Sequence, residues 1–140
     1  MQTRSIKHLA FWATPIVFVL LLLFFCSDWT SVAFAQPCGG NITPKEWING
    51  YVNVGQQCRY TFYGYNGDVV SIAMVKETGT IDPWLDLTDP DGYIVASDDD
   101  SYGNHDSLIR YRLLRTGRYT IVAGSYNGAG SGSYWVFLEK

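Results

Sequence analysis

The sequence predicts an all-β domain, built as an antiparallel sandwich or barrel of about eight strands. Short stretches rich in aromatic and β-branched residues recur through residues 45–140, and turn-forming residues separate them at short intervals. No stretch between them shows the periodicity of an amphipathic helix. The predicted strands are residues 47–54, 57–65, 68–76, 84–88, 93–96, 107–114, 118–123 and 134–138.

Three of these strands alternate between apolar and polar residues, which is typical of a strand with one buried face. The strand 107–114 sets Ile109 and Leu113 against Arg110 and Arg112, so we expect the arginines to face solvent. The residues predicted to face the core in the strands 57–65 and 68–76 are Cys58, Tyr60, Phe62, Val70, Ile72 and Met74.

Turn residues connect the strands. Asn66-Gly67 predicts a tight hairpin, because both residue types tolerate a positive φ. Asp89-Pro90-Asp91-Gly92 predicts a turn in which proline fixes φ, aspartate bonds back to the backbone and glycine takes the left-handed position. Residues 124–132 form a loop rich in glycine, serine and asparagine.

The sequence also predicts which side of the sheet two tryptophans and one aspartate occupy. Trp84 and Trp135 stand in apolar strands, so we expect both in the core. Asp86 lies between two leucines and is expected to point outward.

The N-terminus predicts export. Arg4 and Lys7 precede an unbroken apolar run at residues 16–25, and Ala33-Phe34-Ala35 offers small residues for a signal peptidase that cleaves before Gln36. We therefore expect residues 1–35 to be a signal peptide and the protein to be secreted, extracellular or periplasmic. The alternative is an uncleaved anchor, since the apolar segment has nearly the length that spans a bilayer.

Two cysteines remain after that cleavage, Cys38 and Cys58. An even number in an exported chain predicts a disulfide, which would tie residues 36–44 to the domain of residues 45–140. A metal-binding pair is the weaker alternative, because no histidine or third cysteine lies near them. The formal net charge of −3 argues against nucleic acid as a partner, since its recognition needs a basic face.

Taken in order, the motifs resemble the bacterial pre-peptidase C-terminal domain, a small β-sandwich that is often appended to secreted proteases and is related to the collagen-binding module of secreted collagenases. The resemblance covers roughly residues 45–139. The matching motifs are YTF at 60–62, GDVVSI at 67–72, IDPWLDL at 81–87, DPDG at 89–92, ASDDD at 96–100, IRY at 109–111, TGRYTI at 116–121 and GSY at 132–134.

The resemblance implies a jelly-roll-like sandwich, no catalysis by the domain itself and, in some members, calcium binding. No peptidase precedes the domain in these 140 residues. The usual role, as an accessory to an attached peptidase, is therefore not carried over to this chain.

An acidic loop is the candidate metal site. Calcium takes six to eight oxygen ligands in irregular geometry, and neighbouring carboxylates repel one another unless a cation lies between them. The spacing is not that of an EF-hand, because Tyr102 and Ile109 occupy ligand positions. The alternative is a solvated turn whose side chains bond their own backbone. The predicted calcium ligands are Asp82, Asp98, Asp99, Asp100, Asn104 and Asp106.

The sequence favours a protein that is not an enzyme. His105 is the only histidine after residue 35, and its neighbour Asp106 is placed poorly for a catalytic triad, because residues adjacent in sequence generally point apart. A small secreted hydrolase is the alternative, and a membrane-tethered envelope protein is a third interpretation if the signal is uncleaved.

Loop aromatics are the candidate ligand-binding residues, namely Tyr65, Tyr102 and Tyr126. Outward aromatic rings on a sandwich stack on sugars or on protein, whereas ordinary turn tyrosines are the simpler explanation. We expect a secreted, non-catalytic binding or accessory module whose partner is an extracellular polymer such as a polysaccharide, an envelope component or a protein.

Overall fold

The computed structural model describes residues 38–140, and the predicted signal peptide at residues 1–35 lies outside them. All eight predicted strands are present, together with a ninth, short strand near Cys38. No helix among the described residues is long and apolar enough to cross a membrane. The strands are β1 (Gly39–Asn41), β2 (Trp47–Val52), β3 (Gln57–Gly64), β4 (Val69–Lys76), β5 (Pro83–Thr88), β6 (Ile94–Asp98), β7 (Ser107–Arg112), β8 (Gly117–Ser125) and β9 (Gly132–Glu139).

The strands form two sheets that pack face to face, which confirms the predicted β-sandwich. The five-stranded sheet has the order β1-β3-β8-β5-β6, and the four-stranded sheet has the order β2-β9-β4-β7. Every pair is antiparallel except β1 with β3, which is parallel. A 3-10 turn, Tyr126–Gly128, follows β8.

The predicted alternation places the core between the sheets. In β3 and β4 all six residues expected to face inward are buried. In β7, Ile109 is buried and Arg110 and Arg112 are exposed, as expected. Three fully buried tyrosines, Tyr60, Tyr119 and Tyr134, are among the largest core side chains.

The ninth strand, β1, depends on the predicted disulfide. Gly39-Gly40-Asn41 has low β-propensity, so the sequence gives no strand signal there. The Cys38–Cys58 disulfide is present and fixes this segment beside β3, where Gly39 pairs with Arg59. The side chain of Thr61 adds a hydrogen bond of 2.8 Å to Asn41 Oδ1.

The predicted hairpin at Asn66-Gly67 is wrong, because β3 and β4 belong to different sheets. A turn does form there, closed by the hydrogen bond from Asp68 N to Tyr65 O, and Gly67 has φ +95°. However, Gly67 N donates to Leu113 O instead of to a partner on β3. Both strands carry one apolar face, and the chain buries both faces by passing from one sheet to the other through this exposed turn.

The expected placement of the tryptophans is also wrong. Trp84 is partly buried on the outer face of β5, and Trp135 is exposed on the outer face of β9. Leu85, Tyr134 and their inward neighbours fill the core instead. Asp86 faces outward as expected but is only 4% exposed, and it accepts a hydrogen bond of 2.5 Å from Ser97 Oγ on β6.

Candidate functional site

The loop between β6 and β7 is fixed by the carboxylate of Asp98. Its Oδ2 accepts from the backbone N of Ser101 at 3.1 Å and from that of Leu108 at 2.7 Å. Its Oδ1 accepts from the hydroxyl of Ser101. Asp98 therefore joins the start of the loop to the start of β7, which gives it a structural role. Its part in a metal site stays a prediction.

Asp106 and Ser107 attach the end of the same loop to neighbouring strands. Asp106 is buried, and its Oδ1 accepts from Lys76 N at 2.9 Å. The hydroxyl of Ser107 donates to Pro83 O at 2.7 Å. Both contacts bring the loop against β4 and β5, so the acidic loop lies beside the segment that contains Asp82.

Three side chains with metal-ligating atoms meet at this place: Asp82, Asp100 and His105. One ligand atom of each lies within 4.8 Å of the others, and His105 Nδ1 is 3.2 Å from Asp100 Oδ1. Gly103, Asn104 and His105 all have a positive φ. This left-handed segment turns the backbone back toward Asp100, so that the His105 side chain contacts it. Asp82 lies beside the loop, whereas Asp98, Asp99 and Asp106 are not members of this cluster.

The cluster fits a divalent cation in part. Carboxylate oxygens of Asp82 and Asp100 suit calcium, whereas the imidazole nitrogen of His105 suits transition metals better. In the sequence, the acidic neighbour of His105 is Asp106. The loop instead brings it to Asp100, five residues away, a contact that depends on three consecutive left-handed residues.

The three predicted ligand-binding tyrosines do not form one surface. Tyr65 follows the end of β3, where Lys140 Nζ lies 4.9 Å from its ring centroid and Tyr63 meets it edge-on. Tyr126 follows β8, whose residue Gly124 pairs with the opposite end of β3. Tyr126 N donates to the backbone O of Asp82, so this tyrosine lies beside the metal-ligating cluster. Tyr102 belongs to the acidic loop itself.

A group of apolar side chains lies on the outer face of β2 and β9 in the four-stranded sheet. We call it the tryptophan face and define it as Trp47, Tyr51, Trp135 and Phe137. Trp47 is 46% exposed and stacks on Phe137 with 4.8 Å between ring centroids, and Trp135 is 37% exposed. In register, Trp47 and Phe137 continue a row with Ala73 and Leu108 that crosses all four strands.

Comparison with known proteins relates part of the chain to a known family. Residues 59–125 match the family model of the bacterial pre-peptidase C-terminal domain. Over these residues the chain is similar to that domain. The matched residues run from β3 to the end of β8, and the remaining described strands, β1, β2 and β9, complete the two sheets. A search of curated protein sequences found no match.

Solved structures show the same fold as this chain. The pre-peptidase C-terminal domain of the collagenase of Bacillus anthracis has a TM-score of 0.59 and 15% identity over 72% of this chain and 94% of that one. PliG of Aeromonas hydrophila, a periplasmic inhibitor of g-type lysozyme, has a TM-score of 0.55 and 12% identity over 72% and 96%. PliG of Salmonella Typhimurium has 0.51 and 15% over the same shares. At these identities the likeness shows the fold alone.

Proposed function

We propose that this protein is an exported, non-catalytic module that binds a partner protein through the tryptophan face. The observation that carries the proposal is the row of outward aromatic side chains on a sheet face that no other described element covers. Exposed apolar surfaces of this kind mark interaction sites, and tryptophan and tyrosine are enriched among the residues that dominate binding energy.

The surroundings of the face favour a protein as the ligand. Asn49, between Trp47 and Tyr51 on β2, donates to Glu77 Oε2 at 2.9 Å, which places a carboxylate at the margin of the apolar surface. An apolar centre with a polar margin is the usual composition of a protein–protein interface. The amide of Asn49 lowers the pKa of Glu77, so this margin stays charged at neutral pH.

Export and the absence of catalysis are part of the same proposal. The apolar run at residues 16–25 and the disulfide both fit an oxidising compartment outside the cytoplasm. His105 is 81% exposed at its side chain and contacts Asp100, an environment that does not resemble a desolvated catalytic histidine. The likeness in fold to PliG, an inhibitor that acts on another protein, supports a protein partner.

Retention on immobilised proteins tests the proposal. Matrices carrying g-type lysozyme and fibrillar collagen are the probes, because the structures that share this fold come from an inhibitor of g-type lysozyme and from a collagenase. We expect one of them to retain the exported protein and Trp135→Ala to weaken retention by about 2 kcal/mol or more, because the ring is lost from the centre of the face. Tyr93→Ala is the matched control, since Tyr93 is exposed beside β6 on the other sheet.

Three results would contradict this function. If neither matrix retains the parent protein, g-type lysozyme and collagen are both excluded as partners. Equal retention of Trp135→Ala and Tyr93→Ala would exclude the tryptophan face as the binding surface. A loss of retention confined to Tyr102→Ala and Tyr126→Ala would show that the loop tyrosines bind the partner. Melting temperatures of all variants distinguish lost contacts from lost folding.

We also propose that the cluster of Asp82, Asp100 and His105 binds a divalent cation, with calcium as the first candidate. Two carboxylates from separate segments meet here, and a cation between them would offset their repulsion and join the acidic loop to the segment before β5. Waters and Asn104, which belongs to the same loop, would supply further oxygen ligands. The cation would stabilise the loop and takes no part in any reaction.

A further inference from the structure

A second surface feature lies on the opposite sheet from the tryptophan face. A cleft of about 300 Å³ opens at one end of the five-stranded sheet, between the segment that enters β3 and the 3-10 turn that follows β8. Trp84 of β5 and Tyr126 of the turn contribute its aromatic walls, and Gln56, Gln57 and Asn127 contribute amide groups. Ligand pockets in proteins begin at about this volume, which suits a small ligand.

The strand register explains why the cleft exists. Gln57, Gly124 and Trp84 are cross-strand neighbours on β3, β8 and β5, and they face outward because Cys58, Ala123 and Leu85 face the core. Gly124 has no side chain, so that of Gln57 packs over it, with Cγ 3.4 Å from the place a Cβ would take. The outer surface of the sheet therefore has a depression between Gln57 and Trp84.

The two loops around the cleft are held together before any ligand arrives. Gly55 N donates to Gly128 O at 2.9 Å, and both glycines have a positive φ, +77° and +66°. Asn127 between Tyr126 and Gly128 also has a positive φ, +52°. The 3-10 turn buries none of its residues, so packing of the core does not account for its sequence. A site that is already ordered loses little entropy on binding.

The lining selects the chemistry of the ligand. None of the residues that line the cleft is charged, so the site favours a neutral ligand. Side-chain amides both donate and accept hydrogen bonds, which matches hydroxyl groups that do the same. The Oε1 of Gln56 accepts from Asn53 N at 3.1 Å and from Asn53 Nδ2 at 2.9 Å, which orients this amide and leaves its nitrogen as a donor.

We propose that this cleft binds a ring of a neutral saccharide, stacked against Trp84 and Tyr126 and hydrogen-bonded by the amides. The aromatic walls supply apolar faces for the C–H side of a sugar ring, and the amides supply partners for its hydroxyls. An extended peptide fits less well, because strand addition uses a strand edge, whereas the groups that line this cleft lie on the face of β5 and on the loops beside β3 and β8. The inference is independent of the protein-binding face, which lies on the other sheet.

Indole resonances test the proposal within the exported protein, purified after secretion and labelled with ¹⁵N. It contains three tryptophans after residue 35, namely Trp47, Trp84 and Trp135, so three indole N–H signals are expected and single Trp→Phe variants assign them. The probes are neutral tetrasaccharides of glucose, N-acetylglucosamine and mannose, with tetragalacturonate as the acidic counterpart. We expect one neutral tetrasaccharide to shift the Trp84 signal alone and tetragalacturonate to shift none.

Variants make the test specific. Trp84→Ala should weaken binding of that tetrasaccharide about tenfold or more, and Trp47→Ala should leave it unchanged. Gly124→Val is a second variant that keeps the tryptophan and displaces the side chain of Gln57, whose Cγ lies 3.4 Å from the Cβ position, and we expect the same loss. The ¹⁵N spectrum of each variant shows whether it is folded.

Several results would overturn the inference. No shift with any neutral tetrasaccharide at millimolar concentration excludes saccharide binding in the cleft, and shifts of the Trp47 and Trp135 signals would place the sugar on the tryptophan face. Stronger shifts of Trp84 with an uncharged proline-rich peptide would assign the cleft to protein. If the protein does not bind saccharide but is retained on a protein matrix, the cleft proposal fails and the proposed function stands. If it binds saccharide in the cleft but is not retained on a protein matrix, the proposed function fails and the cleft proposal stands.

Discussion

At the scale of single residues, two buried hydroxyl groups join the sheets. Tyr60 on β3 and Tyr134 on β9 share a hydrogen bond of 2.9 Å in the core. Gly50 makes room for it, because a Cβ there would lie 2.5 Å from the Tyr134 ring. Burial raises the pKa of both phenols, and the bond to Tyr60 raises the pKa of Tyr134 further.

This pair predicts a loss of stability in alkali. Unfolded phenols titrate near pH 10, and the folded pair titrates higher, so the folded state retains more protons above about pH 10 and the free energy of unfolding falls as pH rises further. Thermal melts between neutral pH and strong alkali measure this loss. The double variant Tyr60→Phe/Tyr134→Phe replaces both partners with apolar groups and should lose less stability over the same range. An identical loss in the double variant would assign it to other groups.

The sequence predicts which face Tyr60 occupies but not its partner. Alternation within a strand places a side chain inside or outside, whereas the contact between Tyr60 and Tyr134 depends on how two sheets lie over one another. The position of Trp84 was predictable from its own strand. Trp84 and Asp86 are two residues apart, so an outward Asp86 requires an outward Trp84.

At the scale of elements, β1 shows that a covalent bond can make a strand from residues with little strand propensity. It is three residues long and pairs only with β3. Neither glycine of β1 contributes a side chain to the core, so the disulfide and a few hydrogen bonds keep it in place.

Removal of the disulfide should therefore release β1 and leave the sandwich folded. The double variant Cys38→Ala/Cys58→Ala should lower the free energy of unfolding by about 3 kcal/mol, the value expected for a loop of this length. Amide hydrogen exchange at Ile42, whose N donates to Thr61 O at 3.0 Å, should accelerate, and exchange in the β3–β8 pair should not. Unchanged exchange at Ile42 would mean that pairing alone fixes the strand.

At the scale of the whole molecule, eight of the nine strands and the sandwich follow from alternation and turn residues, whereas β1 does not. Sheet order does not follow from them either. The turn at Asn66-Gly67 was predicted in the right place, but a turn sequence does not state whether the two strands enter one sheet or two. The same limit applies to the metal-ligating cluster, since the approach of Asp82 to Asp100 depends on the packing of the acidic loop against β4 and β5.

Cation binding at that cluster predicts a change in the stability of the whole domain. Calcium at a hundredfold above its Kd should raise the free energy of unfolding by about 2.7 kcal/mol, because the cation binds the folded state alone. Thermal melts with calcium and with chelator measure the effect, and Asp82→Asn or Asp100→Asn should abolish it. Glu46→Gln, at an exposed residue outside the cluster, is the control.

The outcome also identifies the metal. Stabilisation by zinc but not by calcium, lost in His105→Ala, would contradict calcium and show that the imidazole is a ligand. No shift with either ion would leave the acidic segment as a solvated turn fixed by Asp98 and Asp106.

The parallel pairing of β1 with β3 has a consequence for self-association. Without β1, the strand β3 would stand at the margin of its sheet with unpaired backbone groups, and such an edge is a template for a strand of another molecule. Gly39, Gly40 and Asn41 cover the middle of that edge, and they stay there because one disulfide holds them. Oxidation of Cys38 and Cys58 therefore protects the folded protein against aggregation as well as against unfolding.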